Sequence, residues 1–520
     1  MQAGTDGAMR EQTPCLIGVD AGTTGLKSLV FDLTGRPLSQ AYREYPLVYP
    51  EPGAAEQDPE DWWRALCETV REAVERADVR PGSVAGLSIS SQGSTVVALG
   101  ARGELLRPAL SWLDTRSAEL DLDGETLDEE ELFALTGLRY FPGWTACLLQ
   151  WLGHREPGTL RRARHLLLVS DYLIYRMTGA VMTDYSSASR TRMLDLERMA
   201  WSPRILESVG VSEAQLPRLG ASGEIAGTVS AEGARMTGLL EGMPVALGGF
   251  DQSCAALGCG AVTPDTAMVS LGTASMVMAS SPRAIVDPLR RVTTSCHAIP
   301  NTYALQGPIM TTGAVLRWWR DHFLTERSSR IYGDMDRMAA TAPPGADGLV
   351  VLPYFSGAGA PHWDHARRGA IVGLSLAHSQ RHVIRAILEG VAMQIQDNVE
   401  VLEGLGFEID TVRIVGGGAK SALWTEIIGD VLGKRQVRIA QSEVGTLGAA
   451  MLAGLGVGAF RTVDEALREM APAGVTKEFD PERHRAYEEV RRRYAETEAR
   501  LYGSSTDAWA DAGVTDVGAR

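Results

Sequence analysis

Asp20 closes an apolar run, 15–20 (CLIGVD), and stands beside the turn 21–25 (AGTTG). A carboxylate there can cap its own turn. It can also hold Mg²⁺, directly or through water, while the turn's N–H groups and the Thr23 and Thr24 hydroxyls face phosphate oxygens. Lys27 adds a cation, for phosphate or for solvent. Asp251 follows Gly-Gly-Phe in 246–260 (ALGGFDQSCAALGCG) and precedes small apolar residues. Partial drying raises a carboxylate's pKa and suits it to proton transfer. The same Asp can at once be the N-cap of a helix over 253–257. Trp112, Asp114 and Arg116 (SWLDTR) bring a ring, a carboxylate and a guanidinium close together. That set fits a polyhydroxylated ligand or a surface salt bridge. His362, Asp364 and His365 suggest metal ligands, but their spacing on a Pro-led loop is poor for zinc.

The elements that must position these groups follow from pattern. Residues 15–20 and 27–32 are apolar or β-branched runs separated by the Gly-Thr turn, with a second turn at 34–37 (TGRP). This is an antiparallel meander. A P-loop or a dinucleotide fingerprint would lead into a helix, whereas here the glycine turn leads into a strand. The 429–434 stretch (GDVLGK) has the wrong spacing for a P-loop and lacks the hydroxyl. Asp58-Pro59-Glu60 opens a helix with buried Trp62, Leu66, Val70 and Val74. Strands are expected over 84–90 and 95–99. The opening pattern returns at 267–278 (AMVSL, Gly-Thr, ASMVM), with further strands near 292–299 and 303–306. Two such turns about 250 residues apart, with a similar length after the second, point to two related halves. A strand over 412–415, the turn Gly416-Gly417-Gly418 and a helix over 421–432 form a mouth whose N–H groups favour an anion or nucleotide. A Gly/Ala-rich helix over 446–455 follows, able to pack tightly.

A chain of 520 residues suggests two to four domains, and 45% apolar with 22% charged residues excludes wholesale disorder. Net charge is −15 with no Lys/Arg block, which argues against a nucleic-acid surface. An anion must then be held by backbone N–H groups, a metal ion or a few placed cations. No run reaches the length of a membrane span, and the first residues lack a signal-peptide core. The six scattered cysteines read as reduced thiols, not as a disulfide frame or zinc site. A cytoplasmic protein is expected, with frayed tails at 1–14 and 503–520.

Several segments in order resemble the FGGY family of carbohydrate kinases, which includes xylulokinase, glycerol kinase, ribulokinase and the autoinducer-2 kinase. They are IGVDAGTTGLKSLVFD (17–32), EQDPEDWW (56–63), SWLDTR (111–116), DYLIYRMTG (171–179), ASRTRMLDL (188–196), GGFDQSCAALG (248–258), SLGTAS (270–275), PHWDHARRGAIVGL (361–374), IVGGGAKSALW (414–424) and EVGTLGAAMLAG (443–454). The resemblance implies an α/β fold of two actin-like (ribonuclease H-like) ATPase domains with an interdomain cleft. The first would span 15–262 and bind sugar and phosphate. The second would span 263–502 and bind ATP. It implies ATP-dependent phosphorylation of a sugar or polyol hydroxyl with Mg²⁺. Asp251 would be the general base and share the metal with Asp20. Gly22, Thr23, Thr24 and Lys27 would form one phosphate loop, and Gly272, Thr273 and Gly313 the second. Gly417, Gly418 and Ser421 would lie at the adenosine end. Gln92, Ser94, Trp112, Asp114, Arg116 and Gln252 would face the sugar.

The departures concern the substrate. Gln92-Gly93-Ser94-Thr95 stands where glycerol kinases usually show Gln-Arg-Glu-Thr and xylulokinases Gln-Met-His-Gly. Gly93 and Ser94 leave space for a bulkier or differently oriented substrate. Leu148 and Ser170 replace frequent family lysines, as in autoinducer-2 kinases, whose Met-Arg-Glu substrate motif is missing here. A ketopentose such as xylulose is the expected acceptor; the alternatives are autoinducer-2 and glycerol or another polyol. From other classes stand an actin-fold ATPase without a sugar acceptor and a sugar-binding regulator. No nucleic-acid or membrane partner is expected, and a homodimer is left open.

Overall fold

The computed structural model describes residues 14–120, 127–325, 330–441 and 443–503. The tails expected at the two ends lie outside the described residues except for Pro14 and Gly503.

The first half is built on a six-stranded sheet. Its strands are β1 (Cys15–Ala21), β2 (Gly25–Asp32), β3 (Pro37–Glu44), β4 (Val84–Ser91), β5 (Ile225–Thr228) and β6 (Pro244–Phe250). Their order is β5-β6-β4-β1-β2-β3. The meander β1–β2–β3 is antiparallel, and β1, β4 and β6 run parallel. The helix α1 (Pro59–Arg76) begins where the sequence places it: Asp58 accepts from the Glu60 N–H at 2.9 Å. Its stripe of Trp62, Leu66, Val70 and Val74 is buried against one face of this sheet.

The second half repeats the plan. Its strands are β7 (Thr266–Leu271), β8 (Ser275–Ser281), β9 (Thr293–Cys296), β10 (Tyr303–Ile309), β11 (Thr411–Val415), β12 (Arg435–Arg438) and β13 (Val475–Lys477). The order is β9-β10-β8-β7-β11-β12-β13. Again the first strand pairs antiparallel with the next and parallel with the one reached after the long crossover. The internal repeat read from two Gly-Thr turns is thus a repeat of strand order and direction.

Between the sheets lie two helices. The helix α2 (Asp251–Cys259) runs from the end of β6. After α3 (Gly313–Phe323), α4 (Gln380–Gly404) and α5 (Ala422–Leu432), the chain returns in α6 (Val444–Gly456), and it ends in α7 (Pro481–Tyr502). Although α6 follows the second sheet's β12 in sequence, it packs on β1, β4 and β6 of the first sheet and crosses α2. Period-two alternation explains this: Ile17, Val19 and Ala21 face α1, while Leu16 faces α2 and α6. Glycines let the backbones touch. A Cβ on Gly18 would stand 1.8 Å from the Thr446 carbonyl oxygen, one on Gly258 1.9 Å from that of Val444, and one on Gly448 2.0 Å from that of Cys254.

Some elements are displaced from expectation. The strand expected over 95–99 is only Val97–Leu99, because Ser94 takes a left-handed φ of 65° and turns the chain. Helix α2 starts at Asp251 itself, with Phe250 in the N-cap place, so Asp251 is not the cap expected of it. All six cysteines are free and buried, and no described helix is long and apolar enough to cross a membrane.

The crossing yields a test. Gly448→Val should cost about 3 kcal/mol or more in urea unfolding, since the methyls would meet backbone that cannot step aside. Gly158→Ala, with nothing within 4 Å of its added Cβ, should stay within about 0.5 kcal/mol of wild type.

Candidate active site

The parallel register brings the acidic groups together. Asp20 on β1 is level with Ser90 on β4, and Ser90 is level with Gly249 on β6. Asp251 follows just past the end of β6. Asp20 and Asp251 therefore stand at the same, C-terminal end of the parallel strands, their backbones about two strand spacings or 10 Å apart along the hydrogen-bonding direction. Even-numbered positions of β1 point toward α6, so Asp20 faces the N-terminus of that helix, where a Cβ on Gly445 would lie 4.0 Å from its Oδ1. The α6 residue Val444 also packs with Val415 at the end of β11. The start of α6 thus links the active edges of both sheets.

Burial and neighbouring carboxylates set the electrostatics. Burial pushes the Asp251 carboxyl up to about 7, and the charge of Asp20 adds to the rise. The Gln252 N–H at 2.6 Å from Oδ1 and the Arg190 guanidinium pull the other way. Asp20 is raised chiefly by burial, against a 2.9 Å hydrogen bond from the Ser90 hydroxyl and the charge of Lys27. Backbone placement of Asp251 is reinforced from behind. The Phe250 N–H donates to Ser186 Oγ at 2.9 Å, and that hydroxyl donates to the buried Asp184 at 2.5 Å.

The first turn is wired to the side where sugar was expected. Thr23 Oγ1 donates to Gln92 Oε1 at 3.0 Å and accepts from Trp112 Nε1 at 2.9 Å. Gln57 Nε2 donates to the Thr23 carbonyl at 2.8 Å, and Gln92 Nε2 to Gln57 Oε1 at 3.0 Å. The Thr23 hydroxyl is therefore engaged by Gln92 and Trp112 rather than left open for phosphate. Gly22 is held through its N–H to Gly25 and by the Tyr45 hydroxyl on its carbonyl, while Thr24 stays exposed. Lys27, partly exposed, is paired rather than left for an anion: its Nζ lies 2.6 Å from Glu443 Oε2, just before α6.

At the equivalent edge of the second sheet, Gly272 and Thr273 are clasped by the start of α3. The Gly313 N–H donates to the Gly272 carbonyl at 3.0 Å, and the Thr312 N–H to the Thr273 carbonyl at 3.1 Å. A Cβ on Gly313 would be 2.5 Å from the Gly272 oxygen, so only glycine closes this clasp. Thr273 Oγ1 and its turn remain exposed, with Arg317 Nη2 3.3 Å away. Gly416 takes φ 87° beside Leu271, and Gly418 lies against Leu271 and Trp424. Gly417 is open, and Ser421 caps α5 by accepting from the Trp424 N–H at 3.0 Å.

Three expectations need correction. Asp114 and Arg116 do not present themselves to a ligand. The guanidinium contacts Asp114 at 2.7 Å, Glu56 at 2.6 Å and Glu51 at 2.9 Å, and stacks 4.0 Å over the Trp151 ring. Asp114 also accepts from the Ala55 N–H, and both side chains are buried. Ser94 uses its hydroxyl on the Arg190 carbonyl at 2.9 Å. The room left by Gly93 is taken by Phe250 and Arg190, 3.1 and 3.4 Å from where a Cβ would stand. Gln252 fits its expected place better, since its Oε1 is buried without a partner next to Asp251. The residues that sequence reasoning passed over are Arg190, Gln57, Ser90, Tyr45 and Glu443. Arg190 lay inside a quoted segment. Its one signal was a lone guanidinium closing the small-residue run 186–190 (SSASR).

The raised carboxyl of Asp251 predicts a stability effect. Its folded value of about 7 lies above the ordinary 3.8, so the native state binds this proton more tightly than the unfolded chain. Stability is full below the unfolded value and is lost as pH rises through about 7. Asp251→Asn should therefore stabilise the protein at pH 8, by at least ~1.4 kcal/mol, one pKa unit's worth. The gain should fade by pH 4, as read by urea unfolding at both pH values.

Comparison with known proteins agrees with this geometry. Residues 15–258 match the N-terminal domain of the FGGY family of carbohydrate kinases, and residues 267–457 match its C-terminal domain. The chain is 32% identical over 488 residues to the xylulose kinase of Escherichia coli (strain K12), spanning 94% of this chain and 98% of that protein. It is 31% identical over 458 residues to the glycerol kinase of Thermococcus onnurineus (strain NA1), spanning 86% and 90%. The solved xylulose kinase from Rhodospirillum rubrum superposes with a TM-score of 0.86 at 29% identity, covering 94% of this chain and 99% of that one. The non-kinase readings left open by the sequence are set aside. With its doubled sheet, its acidic edge and both family domains in order, this chain belongs to the FGGY family of carbohydrate kinases and is an ATP-using enzyme that phosphorylates a sugar or polyol.

Proposed function

We propose that the protein transfers the γ-phosphoryl group of ATP to a hydroxyl of a ketopentose such as xylulose, with Asp251 as general base. The observation that carries the base assignment is the Asp251 carboxyl, raised to about 7 at a sheet edge it shares with Asp20. A base of that strength holds a proton from an alcohol only as the oxygen bonds to phosphorus, which is when it is needed. The ketopentose rests on relatives named xylulose kinase, among them those of Escherichia coli and of Bacillus subtilis, the latter 30% identical over 450 residues.

The residues suit a magnesium ion. The charge of Asp20 raises the pKa of Asp251, that of Glu443 raises the pKa of Asp20, and Lys27 is paired with Glu443, so a divalent cation would relieve the repulsion. Among the described residues no cluster of three or more His, Cys, Asp or Glu forms a protein cage. That fits an ion bound through one or two carboxylates plus water and phosphate oxygens. When bound, Mg²⁺ supplies charge neutralisation on the phosphates.

The chain's own groups do the rest. The Gly272–Thr273 turn, held open to solvent by Gly313, offers its edge to phosphate, while Gly417, Gly418 and the Ser421-capped α5 offer an open glycine surface to the adenosine end. Trp112, fixed through Thr23 and Gln92, gives a ring face for sugar CH groups. Gln252 offers an unpartnered acceptor to a sugar hydroxyl. Asp251 takes the proton of the attacking hydroxyl. In this reading residues 15–262 hold the sugar and 263–502 the nucleotide.

Three measurements test the proposal. Asp251→Asn should lower kcat at least ~10²-fold with ATP affinity little changed, and near-normal turnover would remove Asp251 from the role. In the wild type, kcat/KM for sugar should fall about tenfold per pH unit below about 7, where the base is protonated. An ADP-release panel of ketoses, polyols and the autoinducer-2 precursor should place xylulose first; a higher kcat/KM on glycerol would overturn the ketopentose.

A further inference from the structure

Arg190 packs against Phe250, interacts electrostatically with Asp251 and has no assigned role. Its guanidinium carbon is 4.5 Å from the centre of the Trp144 ring and 4.9 Å from that of Phe250, the residue before Asp251. The two rings hold the planar group between them. Nη1 donates to Gln306 Oε1 at 3.1 Å, a residue of β10 in the second sheet. Gln306 is itself fixed by Ser295. Nε is buried and has no hydrogen-bond partner. Among the described residues no carboxylate comes within ion-pair distance of Arg190. The buried Arg116 and Arg385, by contrast, are each paired with carboxylates at 2.7 Å.

Asp251 acts on the Arg190 guanidinium through its charge but makes no ion-pair contact with it, and a half-buried guanidinium without a contacting carboxylate is costly unless something completes its hydrogen bonds. Arg190 is not completed by the fold. Its Nη1 side is tied down and both faces are covered by rings, but the Nε edge is left without an acceptor. That edge is the one by which arginine grips planar oxygens. Close by stand Asp251, with which it interacts through charge, and the next residue Gln252, whose Oε1 is unpartnered. One side therefore offers an unused donor and the other an unused acceptor.

We infer that Arg190 is a substrate-binding and specificity-determining residue that receives an sp² oxygen of the sugar, a keto carbonyl or a carboxylate, and so favours oxidised acceptors over the matching polyol. This rests on the ketopentose reading above and sharpens it. A hydroxyl oxygen also accepts from Nε–H, but a planar carbonyl or carboxylate oxygen presents its lone pairs in the plane of the fork and carries more negative charge. A polyol at the same place makes the weaker bond. The contact to Gln306 also means that this selecting group is positioned by the second half of the molecule, while the base it stands beside belongs to the first.

The experiment compares D-xylulose, xylitol and D-xylonate by ADP release in wild type, Arg190→Gln and Arg190→Lys. Wild type should favour xylulose or xylonate over xylitol in kcat/KM by about tenfold or more, the value of a charge-assisted hydrogen bond. The xylulose and xylonate arms separate carbonyl from carboxylate as the oxygen preferred. In Arg190→Gln the preference should contract to within about threefold, through KM more than kcat. Arg190→Lys, which keeps charge without the fork, should restore only part of it and carries the same comparison if the Gln variant fails to fold. Equal losses on all three compounds, or a wild type that prefers xylitol, would overturn the assignment and leave Arg190 a bridge between halves. Absence of sugar-dependent ADP release on all three in wild type would overturn the ketopentose reading, and the Arg190 assignment with it.

Discussion

The architecture depends on how closely two helices approach each other and the first sheet. Where α2 crosses α6, Gly258 and Gly448 each face a backbone carbonyl at a distance that admits no side chain, and Gly18 does the same for α6 on β1. Small residues at such a crossing exchange side-chain burial for backbone proximity. The gain is positional. The α2 helix carries Asp251 at its first residue, and α6 begins beside Asp20. The crossing therefore fixes the acidic end of the first sheet and ties it to the end of β11 in the second. A looser crossing would leave both sheets folded and the acidic edge out of register with the glycine turns of the second half.

The acidic edge is stable only because its surroundings tolerate it. Asp20 and Asp251 are both raised by burial, and each charge makes ionisation of Asp251 or its neighbours harder. Cys254, buried close by, is pushed far up by burial and the same acidic charges, and stays a thiol. Against this, the Ser90 hydroxyl, the Gln252 N–H and the chain from Asp184 through Ser186 to Phe250 hold the carboxylates in place. In the proposed role, such a site trades folding stability for a base whose strength matches neutral pH.

Charged residues elsewhere serve a different end. Arg116, Asp114, Glu56, Glu51 and Arg107 form one network under the Trp151 ring, and it holds the loop that carries Trp112. In the second half, Glu498 of α7 gathers Arg367 at 2.5 Å and His362 at 3.1 Å, while Arg491 reaches Asp397 at 2.5 Å. Of the His–Asp–His stretch that suggested metal ligands, His362 thus helps seat the last helix, and Asp364 pairs with Arg367. Buried ion pairs add little net stability, but removing one partner strands the other, so these clusters define geometry more than they strengthen it.

Much of the fold was written in local pattern. Asp58-Pro59 fixed the start of α1, the four-residue stripe fixed its buried face, and two strand–turn–strand units announced the doubled sheet. Those features depend on backbone preference and periodicity, which neighbouring residues determine. The acid pair was legible because strand ends and glycine turns mark where a carboxylate can emerge. What sequence could not decide was partnership at long range. Whether Arg116 meets sugar or Asp114 and Glu56, whether Lys27 meets phosphate or Glu443, and whether the gap at Gly93 stays open or fills with Phe250 and Arg190, all turn on side chains brought together by the crossing helices. A charged side chain takes whichever counter-charge folding delivers, and no spacing along the chain encodes that delivery.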